Sequence, residues 1–189
     1  MKIYTQLDNL PTFTNPVITV GSFDGVHLGH RQILSYLKKS AQERQGESIV
    51  ITFDPHPQQV LYPGNDFFLI NTLEEKKQLL ANENIGHLII LPFTPQFASQ
   101  SFTDFLHLLI DKIGPKAIVM GPNHNFGKNR EGNSETMQEI CLKNGIEIII
   151  IPEFILNTVK VHSSKIRKYI VNQEFTKAEK LLGYSLKKK

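Results

Sequence analysis

The chain has 189 residues, of which 40% are hydrophobic, and this is enough for one compact domain with a sizeable core. Its formal net charge of +3 equals the charge of the final run Lys187-Lys188-Lys189, so the rest is close to neutral and nucleic-acid binding is not expected. The single cysteine, Cys141, cannot form an internal disulfide, which indicates a cytoplasmic protein. We see no signal-like leader and no apolar run of roughly 18 residues, so we expect no membrane contact.

Short apolar runs rich in β-branched residues alternate with helical patterns along the chain. The predicted strands cover residues 17–20, 49–53, 88–91, 117–120 and 148–151. The predicted helices cover residues 28–44, 73–84, 102–112, 134–144, 164–171 and 175–182. Such strands are buried on both faces, so the order predicts a doubly wound α/β fold around a mainly parallel, five-stranded sheet. No repeat or linker divides the chain, and we expect residues 1–189 to form a single domain.

A glycine-rich turn with two histidines follows the first predicted strand and reads Gly21-Ser22-Phe23-Asp24-Gly25-Val26-His27-Leu28-Gly29-His30. It leads into a helix whose first main-chain N–H groups have no intrahelical partner, so a phosphate can bind there. His27 and His30 share one face of the first turn and add side-chain donors, and we expect both to be solvent-accessible. Gly29 lets a phosphate approach the backbone. Taken singly, either histidine would also fit an ordinary surface position.

A second candidate anion site lies near the end of the chain. Ser163 and Ser164 are predicted to cap the helix at residues 164–171, and Lys165 and Arg167 lie in its first turn. Hydroxyls, free N–H groups and cations would then converge on one anion, and a guanidinium matches phosphate oxygens with a rigid fork. The same pattern alone also fits an N-capped surface helix.

The predicted strands place these segments at one edge of the sheet. Asp54-Pro55-His56-Pro57 follows a strand, and its prolines make a stiff turn that either holds His56 over a ligand or is merely rigid. Gly21, Asp54 and Gly121 all follow strand ends. Open parallel sheets bind ligands outside the carboxyl ends of their strands, so we expect the site there.

Four motifs resemble a known family. His27-Leu28-Gly29-His30 resembles the H-x-G-H signature of the nucleotidyltransferase superfamily, whose members transfer a nucleoside monophosphate from a triphosphate and release pyrophosphate. Residues 21–30 together with Thr52-Phe53-Asp54-Pro55-His56-Pro57 resemble the adenylyltransferase module of bacterial FAD synthetase, the bifunctional riboflavin kinase/FMN adenylyltransferase. Residues 121–133 are similar to its G-x-(D/N)-F-x-F-G loop, and residues 161–167 to its I-S-S-T-x-I-R helix start. The motifs stand in the family's order.

The resemblance implies a Rossmann-like nucleotidyltransferase fold and the synthesis of FAD from ATP and FMN. It implies catalytic roles for His27 and His30 at the α-phosphate and for Arg167, whose helix would hold the β- and γ-phosphates. Other implied contacts to ATP are Gly21, Ser22, Phe23, Asp24, Gly29, Ser163 and Ser164. The implied contacts to FMN are Asp54, Pro55, His56, Asn123 and Phe126. The ring of Phe126 would face the isoalloxazine, or else anchor its loop in the core.

The expected reaction needs little covalent chemistry from the protein. The FMN phosphate is already an anion, so its attack on the α-phosphorus of ATP requires no strong base, and catalysis depends on positioning and charge stabilisation. Mg²⁺ is expected on the triphosphate. No carboxylate cluster has metal-ligand spacing, so we predict no metal site built by the protein. Phosphates and water would hold the ion, with Asp24 as an outer contact.

The chain also departs from the family pattern. His124 stands where the family has Phe, and His162 stands where it has Ser. Only a few residues follow Gly183, so we expect neither a riboflavin kinase module, which needs on the order of 100 residues, nor riboflavin phosphorylation. Two alternatives remain open: an adenylyl- or cytidylyltransferase for another phosphorylated acceptor, and a non-catalytic flavin or nucleotide sensor. The Thr52-to-Pro57 motif counts against the first, and the intact histidines count against the second.

Overall fold

A computed structural model describes residues 1–121 and 134–186, of which residues 134–136 are described by their backbone alone. The strands are β1 (Lys2–Tyr4), β2 (Val17–Val20), β3 (Ser48–Asp54), β4 (His87–Pro92), β5 (Ala117–Met120), β6 (Glu147–Ile150), β7 (Ile155–Leu156) and β8 (Val159–Lys160). The helices are α1 (Leu28–Glu43), α2 (Pro57–Leu61), α3 (Leu73–Asn82), α4 (Pro95–Ala98), α5 (Phe102–Ile113), α6 (Ser134–Lys143), α7 (Ser163–Val171) and α8 (Phe175–Leu182).

The predicted fold class is confirmed, but the sheet has six strands rather than five. Its order is β1-β4-β3-β2-β5-β6 and all its neighbours pair in parallel. The five predicted strands are β2 to β6. The additional strand, β1, has three residues and, among the described residues, pairs with β4 alone, starting at Lys2 and His87. An edge strand this short is too brief to show an alternation of apolar and polar residues in the sequence. The same is true of the two strands of the separate β7–β8 hairpin.

Helices cover both faces of the sheet because successive residues of each strand point to opposite sides. On one face, α5 and α6 pack on Ile18, Ile49, Ile51 and Ile118. On the other, α1 and α3 pack on Val17, Val50, Leu88 and Val119. Within the described parts of the chain, no helix is both long enough and apolar enough to cross a membrane.

The strand order locates the functional edge. From β2 the chain moves to β3 and β4 in one direction, and it then returns to place β5 and β6 on the other side of β2. The direction of winding therefore reverses between β2 and β5. In open α/β sheets a crevice for ligands forms at this reversal, outside the carboxyl ends of the strands. Gly21, Asp54 and Gly121 all lie at this end.

A third apolar cluster attaches the end of the chain to this edge. Ile166 of α7 and Ala178, Leu181 and Leu182 of α8 are buried together with Ile70. The hydroxyl of Tyr184, just after α8, donates to the carbonyl oxygen of Gly25 at 2.7 Å. The last two helices therefore support the loop that leads into α1.

Candidate functional site

The start of α1 is organised by an imidazole. His27 is the N-cap residue, and its Nδ1 accepts a hydrogen bond from the main-chain N–H of His30 at 3.1 Å. The two rings stack with centroids 3.6 Å apart. His27 is only 4% exposed, so the expectation that both histidines are solvent-accessible is wrong for His27. The reason is that a capping side chain folds back onto the first turn, where the loop and the second ring cover it.

The environment of His27 determines its protonation state. Burial lowers the pKa of His27 to about 3, and electrostatic interactions with the neighbouring His162 and Arg167 act in the same direction. The ring is therefore neutral near pH 7. Since Nδ1 accepts a hydrogen bond, the ring hydrogen is on Nε2. His27 can thus donate one hydrogen bond to an anion without carrying a charge.

A buried carboxylate connects three segments at this edge. Asp24 is fully buried, and its Oδ1 accepts hydrogen bonds from the N–H groups of Ile70 at 3.0 Å and Asn71 at 3.3 Å. Its Oδ2 pairs with Nη2 of Arg167. Arg167 also donates from Nε to the carbonyl oxygen of Phe68 at 2.9 Å. Asp24 therefore joins the turn before α1, the segment before α3 and the helix α7, which gives it a structural role.

The start of α7 differs from the expected one. The N-cap is His162, whose Nδ1 accepts from the N–H of Lys165 at 3.2 Å, so the prediction that Ser163 and Ser164 cap this helix is wrong. An imidazole reaches the free N–H groups as well as a hydroxyl does. Ser163 instead donates to the carbonyl oxygen of Asp24 at 2.9 Å, and Ser164 Oγ lies 2.7 Å from His162 Nδ1. Ser163 thus adds a second link between α7 and the turn.

The Asp54-to-Pro57 segment is a rigid turn that ends in a third imidazole cap. The Asp54–Pro55 peptide bond is cis, and His56 caps α2 by accepting from the N–H of Gln58 at 3.1 Å. Burial lowers the pKa of His56 to about 3, with help from the positive charges of Arg167 and Lys76. The ring of Phe67 lies 4.6 Å from the ring of His56 and 4.3 Å from the guanidinium of Arg167.

The structure thus brings the predicted residues of three motifs to one edge. The turn at residues 21–30, the Asp54-to-His56 turn and the start of α7 meet through Asp24, Arg167 and Phe67. The predicted FMN contacts Asn123 and Phe126, and the departure at His124, lie outside the described residues. Among the side chains of residues 1–121 and 137–186, no group of three or more His, Cys, Asp or Glu is placed to hold a metal ion.

Sequence reasoning missed Lys76, which is only 3% exposed on α3. Its Nζ lies 3.5 Å from Thr52 Oγ1, and Thr52 donates to the carbonyl oxygen of Ser22 at 3.1 Å. The available signal was helical periodicity, since Lys76 stands three residues after Leu73 and four before the buried Leu80. A lysine at a helix position that faces the core was therefore the sequence signal for a buried cation.

Fold and site define an α/β protein of the nucleotidyltransferase type, with histidine-capped helix starts at the carboxyl edge of a parallel sheet. Residues 11–165 match the sequence profile of the FAD synthetase family, and the chain belongs to that family. The bifunctional riboflavin kinase/FMN adenylyltransferase of Buchnera aphidicola (subsp. Acyrthosiphon pisum) is 32% identical over 97% of this chain and 59% of its own length. The FAD synthetase of Listeria monocytogenes is 31% identical over 89% of this chain and 68% of its own length.

Solved structures agree on the fold. A crystal structure described as a macrolide-efflux protein from Streptococcus pneumoniae superposes with a TM-score of 0.84 at 30% identity, over 97% of this chain and 60% of that one. Pantothenate synthetase from Thermus thermophilus superposes with a TM-score of 0.56 at 13% identity, over 97% of this chain and 81% of that one, and shares the fold alone. The chain spans about 60% of the length of the bifunctional relatives that it matches.

The buried ion pair leads to a prediction about stability. Arg167→Ala leaves the Asp24 carboxylate buried without its cation, so the free energy of unfolding should fall by about 3–5 kcal/mol in urea denaturation. Adding Asp24→Asn should restore part of the loss, because a neutral amide is cheaper to bury. The control is Lys112→Ala, which breaks the exposed pair with Asp8 and should cost about 0–1 kcal/mol. Equal losses in both single variants would contradict the assigned role of Asp24.

The low pKa values of His27 and His56 predict acid sensitivity. In the unfolded chain both rings titrate near 6.5, so between about pH 4 and 5.5 the unfolded state binds more protons than the folded state. Stability should therefore fall as the pH falls from 6.5, by about 1.4 kcal/mol per pH unit for each histidine. His56→Asn keeps a capping acceptor without titrating there, and it should remove one such contribution from the slope measured by urea denaturation. His107→Asn, which makes the same substitution at an exposed histidine, is the matched control.

Proposed function

We propose that the chain is an FMN adenylyltransferase that transfers AMP from ATP to FMN and gives FAD and pyrophosphate. The observation that carries the proposal is the convergence of two helix starts, α1 and α7, on the ion pair of Asp24 and Arg167. Both helices have more than two turns, so their first N–H groups and positive dipole ends suit a polyphosphate. Membership of the FAD synthetase family supports FMN as the acceptor.

The reaction balances with a single displacement. An oxygen of the FMN phosphate attacks the α-phosphorus of ATP, a new phosphorus–oxygen bond forms, and the bond to the β-phosphate oxygen breaks. The electron pair leaves with pyrophosphate. Because the attacking oxygen is already anionic, the site needs hydrogen-bond donors rather than a base. This agrees with a neutral His27 that donates from Nε2.

The starts of α1 and α7 would bind different phosphates of ATP. The N–H groups of α1, with His27 and His30, would stabilise the charge on the α-phosphate. The start of α7 would hold the β- and γ-phosphates, with Lys165 adding a positive charge. Two donors of Arg167 are already engaged by Asp24 and Phe68, so Arg167 mainly fixes α7 in place. Mg²⁺ bound to the triphosphate would offset its negative charge, and phosphates and water would hold the ion.

The proposal predicts FAD synthesis by the purified chain. With ATP, Mg²⁺ and FMN it should form FAD, measured by chromatography, and release one pyrophosphate for each FAD. Riboflavin in place of FMN should give no FAD, because it lacks the nucleophilic phosphate. Pyrophosphate release with nicotinate mononucleotide or phosphopantetheine but not FMN would assign another acceptor. Flavin binding without any transfer would assign a sensor.

The histidines should separate a catalytic loss from a structural one. His30→Ala removes a donor at the reacting phosphate and should lower kcat by about 10²–10³. His27→Ala should lower kcat as well and also cost about 0.5–2 kcal/mol of stability, because it removes the cap of α1. Rates come from FAD formation and stability from urea denaturation, with His107→Ala as the exposed control. If both variants retained normal turnover, the paired histidines would not act on the phosphate.

A further inference from the structure

Lys76 is a buried cation that the reaction described above does not use. It lies on the inward face of α3 together with Leu80, and it is 3% exposed. The next residue, Lys77, forms an ordinary ion pair with Glu74 at 2.7 Å and its side chain is 26% exposed. Burying an ammonium is costly unless anions or hydrogen-bond acceptors surround it. The burial of Lys76 therefore requires an explanation, whereas the partly exposed position of Lys77 does not.

The described surroundings satisfy Lys76 only in part. Its ammonium has three N–H donors, and the described hydrogen bond is the one to Thr52 Oγ1, at 3.5 Å. Burial lowers the pKa of Lys76, whereas the negative charges of Asp24 and Asp54 favour its charged form. Neither carboxylate lies within 4.0 Å of Nζ, and the Asp24 carboxylate is already paired with Arg167. Two donors of Lys76 thus have no partner among the described residues.

The position of Lys76 is between two loops of the candidate site. Through Thr52 it is connected to Ser22 in the turn before α1. Its positive charge helps to lower the pKa of His56 in the turn after β3, and the negative charge of Asp54 in the same turn favours the charged form of Lys76. An anion near α1 or α7 can use free helix N–H groups. The turn after β3 offers only the five-residue helix α2, whose start is capped by His56. A second anion on that side needs a cation, and Lys76 is placed to supply it.

We propose that Lys76 binds the phosphate group of the acceptor, a phosphate monoester, where the turn before α1 meets the turn after β3. The inference rests on the proposed function and adds to it the residue that distinguishes a phosphorylated flavin from an unphosphorylated one. The ammonium holds the nucleophilic phosphate, while the starts of α1 and α7 hold the triphosphate. Lys76 thereby keeps two anionic substrates close together.

Binding of FMN and riboflavin, measured by flavin fluorescence, tests the role because the two ligands differ only by the phosphate. Lys76→Met keeps the length and removes the charge, and it should weaken FMN binding by about ten- to a hundredfold with riboflavin changed less than about twofold. Lys76→Arg should restore part of the loss. Lys77→Met, the matched control, should bind both flavins as the parent does. Equal weakening for both flavins, or unchanged FMN binding by a folded Lys76→Met, would overturn the proposal.

A second measurement avoids any loss of folding in the variant. In the unsubstituted protein labelled with ¹⁵N-lysine, the Nζ resonance of Lys76, assigned with Lys76→Arg, should shift on addition of FMN and not of riboflavin. If the Lys76 Nζ resonance does not shift on addition of FMN, in a protein that binds FMN and makes FAD, the role of Lys76 alone is overturned. A parent protein that binds no FMN overturns the proposed function together with this inference.

Discussion

The candidate site depends on the buried carboxylate of Asp24. A charge that is fully removed from water is tolerated only when a cation and hydrogen-bond donors replace the lost hydration, and here Arg167 and two main-chain N–H groups do so. These partners come from segments that are 46 to 143 residues away along the chain. The requirement to neutralise one carboxylate therefore determines where α7 lies relative to the turn before α1. The starts of α1 and α7 face one edge because Asp24 joins them.

Imidazole rings cap three helices around that edge, and this has an electrostatic consequence. His27, His56 and His162 each accept a main-chain N–H at Nδ1. Capping by Nδ1 leaves Nε2 as the donor of a neutral ring, as argued for His27, and the low pKa values of His27 and His56 keep those rings uncharged. The positive charges of Arg167 and Lys76 add to the effect of burial in lowering the pKa of His56. The neutral imidazoles of His27 and His56 are then available as hydrogen-bond donors.

The fold could be predicted from the sequence to a large extent. Apolar runs indicate strands buried on both faces, and the order of the motifs indicates a known family. β1 escaped prediction because three residues at a sheet edge show no periodicity. The site was predicted as a set of segments, but the roles within it were not. Ser163 was expected to cap α7 because hydroxyls are favoured at that position, yet His162 does so and Ser163 bonds the carbonyl of Asp24. Which acceptor reaches an N–H group depends on tertiary packing, and no local pattern encodes it.

The end of the described chain is also part of the site. Gly25 adopts a φ of +87°, and a Cβ there would lie 3.1 Å from Ile70 Cδ1 and 3.2 Å from Leu182 Cδ2. The turn before α1 is thus packed tightly between the segment that binds Asp24 and the last turn of α8, and Tyr184 holds the carbonyl of Gly25 from the same side. A shift of α8 would change the path of residues 24–27 and with it the cap on α1. The position of His27 at the start of one helix therefore depends on contacts made more than 150 residues later.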